Sequence, residues 1–202
     1  LIKPQGAGWS WDDYNYYYAS EKSTFPIYGN AIQAVYNKKG VKLKPDFEIR
    51  ESNIIGNLIR DRFTNSFKYN LKNWEINDTL YRPFRTSDNL FIKLLSKELG
   101  IKVSIANIKD NLRWSELFTN NEMLIYRGLL QDSDNGIAEA LLLMISKKQK
   151  NVFNTKIAIE ELNERWKTWL PDNLEWVDGS GVSRYNMFTP KTIVAVLDKI
   201  YE

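Results

Sequence analysis

The second half of the chain repeats apolar residues at the three- to four-residue spacing of amphipathic α-helices. This spacing predicts helices over residues 90–99, 114–130, 135–148, 155–170 and 189–201. Gly100 directly follows the first of these and is a suitable helix stop. For the last of them, Thr189 and Pro190 predict an N-cap and a proline at the first helical position. Residues 101–105 alternate between apolar and polar and predict one short strand in this half.

In the helix predicted from residue 135, the apolar positions fall on one face. Ile137, Leu141 and Met144 share that face, and Ala140 and Leu143 broaden it, so this stripe is expected to pack into the core. Ser133 and Asn135 come before this stripe. Their short polar side chains are expected to point outward at the start of the helix, not into the apolar core.

The first half reads as short strands separated by turn residues. The predicted strands cover residues 31–36, 41–43, 53–59, 66–71 and 79–84. Asn37-Lys38-Lys39-Gly40 predicts a hairpin turn between the first two strands. A β-rich first half followed by a helical second half predicts an α+β fold.

The stretch from Gly6 to Tyr28 is crowded with aromatic side chains that follow neither a helical nor a strand period. Its aromatic residues are Trp9, Trp11, Tyr14, Tyr16, Tyr17, Tyr18, Phe25 and Tyr28. We interpret it as an irregular segment held by core or interdomain packing. A platform on which sugar rings stack is the alternative.

Composition limits the chemistry that the chain can perform. Its 202 residues contain no cysteine and no histidine, which excludes disulfides, thiolate nucleophiles, His-based zinc sites and the Ser-His-Asp triad. Catalysis would have to use Ser, Lys, Asp, Glu, Tyr or Asn. The net charge of +3 is spread along the chain, which argues against a nucleic-acid partner. Its longest apolar stretch, residues 138–145, is too short to cross a bilayer.

Serine hydrolases without histidine activate their serine with lysine, through Ser-x-x-Lys, Ser-x-Asn and Lys-Thr-Gly motifs. Ser-Asp-Asn occurs twice here, at Ser87-Asp88-Asn89 and at Ser133-Asp134-Asn135. The first copy directly precedes the helix predicted at residue 90, so we interpret Ser87 as its N-cap. The second copy continues into Ala138-Glu139 and is followed later by Asp178-Gly-Ser-Gly181.

These stretches, together with Trp9-Ser-Trp11-Asp12-Asp13, resemble the D-alanyl-D-alanine carboxypeptidase/endopeptidase family of class C low-molecular-mass penicillin-binding proteins. The motifs appear in the order typical of that family. The resemblance implies a β-rich inserted domain over residues 1–110. It implies that residues 111–202 are a helical portion of a penicillin-binding, transpeptidase-like catalytic domain. The Asp178–Gly181 stretch is interpreted as a shaped turn.

The resemblance also implies a function. A serine would attack the D-Ala-D-Ala bond of peptidoglycan stem peptides and form an acyl-enzyme, and β-lactams would be trapped in the same way. Ser133 would help to move the proton between nucleophile and leaving group, and Asn135 would hold the substrate amide. The implied location is the periplasm or cell envelope. The resemblance implies no metal and no organic cofactor.

Two of the three motifs are missing from the sequence. No serine has a lysine three residues later, and Lys191-Thr192-Ile193 is not Lys-Thr-Gly. We therefore expect the chain to be an internal, by itself inactive, fragment of a longer enzyme. The alternative is a non-catalytic wall-binding or scaffold module with a penicillin-binding-like fold. A carbohydrate-binding module built on the aromatic segment is a weaker alternative.

Overall fold

The computed structural model describes residues 2–72, 74–106 and 121–202, and in these ranges all the strands precede the α-helices. The strands are β1 (Ala31–Asn37), β2 (Gly40–Lys44), β3 (Ile49–Glu51), β4 (Leu58–Arg60), β5 (Phe67–Tyr69) and β6 (Thr79–Pro83). The helices are α1 (Asp88–Leu99), α2 (Glu122–Leu130), α3 (Asn135–Lys150), α4 (Thr155–Trp166) and α5 (Pro190–Tyr201). The predicted α+β class is confirmed.

Two compact units make up the chain. The first unit combines Leu1–Pro26 with Asp134–Glu202, and the second is Ile27–Ser133. The domain boundary predicted at residues 110 and 111 lies outside the described residues, as does the first part of the helix predicted over 114–130. The division into an inserted domain and part of a catalytic domain stays a prediction.

The second unit is built on two small sheets. An antiparallel sheet has the order β2-β1-β6, and its β1–β2 hairpin closes at the pair Asn37 and Gly40, as the turn predicted. Alternation along β1 buries Ile32 and Ala34 completely. The other sheet has the order β3-β5-β4, with β5 parallel to β3 and antiparallel to β4. The core of the unit contains Ile32, Ala34, Leu43, Leu58, Phe67, Trp74, Phe84 and Leu94.

One predicted strand is wrong. Residues 53–59 do not form a single strand, because β3 has ended at Glu51 and β4 begins at Leu58. Between them Gly56 has a left-handed backbone (φ 88°), and Ile55 is fully exposed. The residues between β3 and β4, which suggested a strand, therefore form a solvent-exposed turn.

Helix α1 begins where the first Ser-Asp-Asn copy predicted. Ser87 has an extended backbone, and its hydroxyl accepts the Leu90 N–H at 3.2 Å. Gly100 ends the helix with φ 66°. The strand predicted over 101–105 is wrong: Ile101 and Ile105 are 63% and 67% exposed, and no β-partner faces them among the described residues.

Helices α3 and α4 form the core of the first unit through Leu142, Ala158, Ile159 and Leu162. The connection between them is fastened by Ser146, which is completely buried. Its hydroxyl lies 2.8 Å from the Val152 carbonyl oxygen and accepts the Asn154 N–H at 2.9 Å.

The predicted buried face of α3 is wrong by part of a turn. Met144 is 62% exposed, whereas the buried residues are Leu143, which belongs to the predicted stripe, and Glu139, Leu142 and Ser146, which do not. Two of these four residues are polar, so a pattern that places polar residues outside shifts the stripe away from the face that packs.

The aromatic N-terminal segment forms short 3-10 turns, Trp11–Asn15 and Tyr17–Ala19. Core packing is not what these rings show: Trp11, Tyr16 and Tyr17 are 65%, 53% and 59% exposed. Tyr16 and Tyr18 stack on each other, with ring centroids 5.4 Å apart. The small residue of the segment, Ala19, is the one that is buried.

Candidate functional site

The second Ser-Asp-Asn motif lies at the N-terminus of α3. Asp134 is the N-cap, and its Oδ1 accepts the Ile137 N–H at 3.0 Å. Ser133 precedes the cap, is exposed, and has a left-handed backbone with φ 54°. Asn135 is the first helical residue and is half-buried. The middle residue of the motif therefore holds the helix, while the two residues predicted to be catalytic stand on either side of the cap outside the apolar core.

The Asn135 amide has a fixed orientation. Its Nδ2 donates to the backbone carbonyl of Tyr18 at 2.8 Å, and this identifies the donor nitrogen because a carbonyl oxygen can only accept. No donor among the described residues binds the Asn135 Oδ1. Partial burial and the nearby Asp13 carboxylate raise the pKa of Tyr18 above its ordinary value.

The Asp178–Gly181 stretch is a turn organised around one buried carboxylate. Asp178 is 2% exposed and accepts four hydrogen bonds. The donors are the N–H groups of Gly181 and Ser183, the Asn186 side-chain amide and the Trp9 indole N–H, at 2.9, 2.6, 2.6 and 2.7 Å. A carboxylate with about four acceptor positions is saturated by this set. The turn is therefore fastened to the aromatic segment through Trp9.

Glu139 is a second buried carboxylate, one helical turn after Asn135. Its Oε1 accepts the backbone N–H groups of Gly179 and Ser180, both at 3.0 Å, and the Ser180 hydroxyl at 2.8 Å. Its Oε2 lies 3.5 Å from the Lys22 Nζ, and the two side chains are only 3% and 7% exposed. The Lys22 ammonium also lies 5.6 Å from the centre of the Trp9 ring.

The three motif stretches thus meet in one buried network, which the sequence reasoning missed. We define the carboxylate network as Trp9, Lys22, Glu139, Asp178 and Ser180. The family motifs contain Glu139 without assigning it a partner, and no motif contains Lys22. The available signal was a glutamate whose neighbours one turn later, Leu142 and Leu143, are apolar.

The described residues contain no group of three or more acidic, Cys or His side chains that could hold a metal ion. Among the helices of the same ranges, none combines the length and apolar character that a membrane span requires.

Residues 123–202, which include the second Ser-Asp-Asn motif, match the D-Ala-D-Ala carboxypeptidase 3 (S13) family. No curated protein sequence matches the chain significantly.

Two solved structures share the fold. The crystal structure of penicillin binding protein 4 from Haemophilus influenzae superposes with a TM-score of 0.69 at 17% identity, covering 100% of this chain and 51% of that one. The same protein complexed with a novel β-lactam gives 0.54 at 18% identity, covering 85% of this chain and 46% of that one. The chain therefore spans about half the length of the solved protein that it matches.

The chain therefore has the fold of a penicillin-binding protein of the D-Ala-D-Ala carboxypeptidase type. Residues 123–202 are similar to the D-Ala-D-Ala carboxypeptidase 3 (S13) family, and the predicted resemblance is confirmed.

Proposed function

We propose that this chain is part of a serine-type D-Ala-D-Ala carboxypeptidase or endopeptidase that acts on peptidoglycan stem peptides in the cell envelope. The observation that carries the proposal is the family match over residues 123–202. This range contains the second Ser-Asp-Asn motif, at the N-terminus of α3. The chain covers about half of the solved relative, so a longer parent protein has room for Ser-x-x-Lys and Lys-Thr-Gly elsewhere.

In the proposed reaction, a serine of the parent attacks the carbonyl carbon between the two D-alanines. The C–N bond breaks, an ester to the serine forms, and the amine of the terminal D-alanine leaves with a proton. Ser133 passes that proton from the nucleophile to the leaving amine. Water then hydrolyses the ester and regenerates the serine. A β-lactam enters the same first step and remains bound as a stalled ester.

Asn135 has the positioning role. Its Nδ2 is engaged by the Tyr18 carbonyl, so its Oδ1 is turned away from that contact. An amide oxygen is an acceptor, and a peptide substrate offers N–H donors to it. Asn135 would therefore hold the substrate amide in register for attack.

The test uses the parent protein and three variants. Ser133→Ala should lower both β-lactam acylation and D-Ala release by about 100- to 10,000-fold, the usual range for a proton-transfer group. Asn135→Ala should lower both by roughly 100-fold through lost positioning. The matched control is Ser87→Ala, which alters the first Ser-Asp-Asn copy and should leave both rates unchanged.

Each outcome has a definite consequence. Full activity in both Ser133→Ala and Asn135→Ala would reduce the second motif to a helix cap. A parent protein that takes up no β-lactam at all and releases no D-Ala would favour the non-catalytic scaffold instead.

One observation favours a second, additional contact with peptidoglycan. Trp11, Tyr16 and Tyr17 are exposed by more than half of their surface, and exposed aromatic rings can stack on sugar rings. Soluble peptidoglycan strands should then bind the chain more weakly after Trp11→Ala and Tyr17→Ala. Unchanged binding would restrict these rings to a structural role.

A further inference from the structure

A hydrogen bond and an ion pair connect the segment 18–22 to the first turns of α3. The Asn135 side chain donates to the Tyr18 carbonyl at 2.8 Å, and Glu139 pairs with Lys22 at 3.5 Å. Asn135 and Glu139 are four residues apart, so their side chains lie on the same face of α3. Tyr18 and Lys22 are also four residues apart. The same two stretches of chain are thus connected twice, one helical turn apart.

We propose that Lys22 and Glu139 are positioning residues for Asn135. Their buried ion pair fixes the segment 18–22 on α3, and this holds the Tyr18 carbonyl where it orients the Asn135 amide. The inference rests on the proposed function, because it presumes that the orientation of Asn135 matters to acyl transfer.

Glu139 is well placed to act as a fixed anchor. Its Oε1 is held by three donors on Gly179 and Ser180, so the carboxylate cannot follow a moving lysine. That leaves Oε2 directed to Lys22, and no hydrogen-bond donor among the described residues reaches this buried oxygen. Lys22 is consequently the partner that neutralises Glu139 on this side.

Lys22 is also held from its own side. Its backbone N–H donates to the Pro4 carbonyl at 2.7 Å, and its ammonium lies over Trp9, which is itself bonded to Asp178. Because Lys22 and Glu139 are more than nine-tenths buried, salt and water screen their attraction little. Removing either charge leaves the other buried without its partner, and the segment must then move to rehydrate it.

The other ion pairs on these helices differ from this one. Lys150 and Glu161 lie at 2.6 Å, but their side chains are 53% and 36% exposed. A pair in that environment contributes little, because solvent screens it and the long side chains stay mobile. Lys150→Met therefore serves as a matched control for Lys22→Met: both remove a lysine charge, and only one removes a buried pair.

The test is a mutant cycle in the parent protein, read as the rate constant of acylation by a labelled penicillin. Lys22→Met and Glu139→Gln should each lower it by about 10- to 100-fold, as expected for a misplaced positioning group. In an Asn135→Ala background the same changes should produce no further loss, because the group that they position is gone. The neutral double variant Lys22→Met/Glu139→Gln should recover part of the loss, and Lys150→Met should change nothing.

A second measurement covers variants that lose stability. In the isolated chain, the Asn135 side-chain NH₂ should give two separate NMR signals, one of them protected from exchange by the Tyr18 carbonyl. Lys22→Met should expose that proton while Lys150→Met leaves it protected.

The failures can be told apart. If Asn135→Ala is fully active, the proposed function of Asn135 fails and the positioning role fails with it. If Asn135→Ala is impaired but Lys22→Met loses equal factors in both backgrounds, or none in either, the positioning role alone is wrong. An unchanged Asn135 side-chain signal in Lys22→Met would also overturn it.

Discussion

Gly179 leaves no room for a side chain between the Asp178–Gly181 turn and α3, and an added methyl group tests how tightly the two are packed. A Cβ at this position would lie 2.7 Å from the Ala138 carbonyl oxygen, 3.1 Å from the carbon of that carbonyl and 3.0 Å from Leu142 Cδ1. The nearest atoms belong to a helix backbone, which does not yield like the end of a flexible side chain. Gly179→Ala must therefore push the turn away from the helix.

The geometry gives the size of the effect. Moving the Cβ from 2.7 Å to an ordinary contact of 3.4 Å displaces the turn by the difference. The Gly179 and Ser180 N–H groups start 3.0 Å from Glu139 Oε1, so the same displacement takes both beyond hydrogen-bonding distance. Overpacking alone costs about 1–3 kcal/mol. With hydrogen bonds to a buried carboxylate weakened as well, we expect a loss of about 2–4 kcal/mol of unfolding free energy.

Gly181→Ala is the matched control in the same turn. Gly181 has φ 75° but open space around the position of a Cβ, so its substitution meets backbone strain without a clash. Left-handed strain costs about 1–2 kcal/mol. Urea unfolding gives the two free energies, and hydrogen exchange at the Ser180 amide reports the local contact. A Gly179→Ala protein as stable as wild type, or one that retains full Ser180 protection, would refute the packing argument.

Three further outcomes are expected. Ser87→Ala should lower the unfolding free energy by about 1 kcal/mol through loss of the cap to Leu90, and a change below about 0.3 kcal/mol in urea unfolding would contradict the capping role. The isolated chain should form no adduct with a labelled penicillin, because none of its serines has a lysine three residues later; a one-to-one adduct in intact-mass spectrometry would show otherwise. Tyr28 donates a hydrogen bond to Glu98, which raises its pKa from 10.0 to about 12. Since the raised pKa favours the protonated phenol in the fold, the contribution of this hydrogen bond to stability is full below about pH 10 and is lost between about pH 10 and 12. Subtracting the phenolate titration of Tyr28→Phe from that of the wild type should show one tyrosine that titrates near pH 12. A difference curve centred near pH 10 would contradict the hydrogen bond to Glu98.

Periodicity and turn chemistry predicted the elements whose signals are local. The β1–β2 hairpin, the cap at Ser87, the stop at Gly100 and the N-cap at Thr189 are all present, because each depends on neighbouring residues. The errors occur where apolar residues are exposed. Residues 101–105 alternate like a strand, but no neighbouring strand pairs with them among the described residues, and alternation alone cannot provide one. Of residues 53–59, only Leu58 and Ile59 enter β4 and pair with β5.

The sequence predicted the order of the site motifs along the chain but not the hydrogen bonds and ion pair that join them. The family motifs indicated that Ser133, Asn135 and the Asp178–Gly181 turn belong together, but spacing along a chain does not state which side chain bonds to which. Glu139 is charged, so the apolar pattern of the helix predicts that it faces solvent. Its burial is explained by the ion pair with Lys22, which lies more than a hundred residues earlier in the sequence.

The buried hydrogen bonds of the first unit also explain why its motifs require a carboxylate at Asp178 and at Glu139. Asp178 accepts two backbone N–H groups and Glu139 Oε1 accepts two more, so an apolar replacement at either position would leave such groups without acceptors. Asparagine or glutamine in their places would keep an acceptor but would bring an amide nitrogen that faces other donors. At Asp178 a carboxylate accepts hydrogen bonds on both of its oxygens, whereas at Glu139 one oxygen accepts the donors of the turn and the other faces the Lys22 ammonium. The Asp-Gly-Ser-Gly turn needs that carboxylate at its first residue, and α3 needs the other one turn after Asn135. The two motifs are therefore fixed by the geometry of backbone donors, and this keeps Asn135 and the turn in a constant relation.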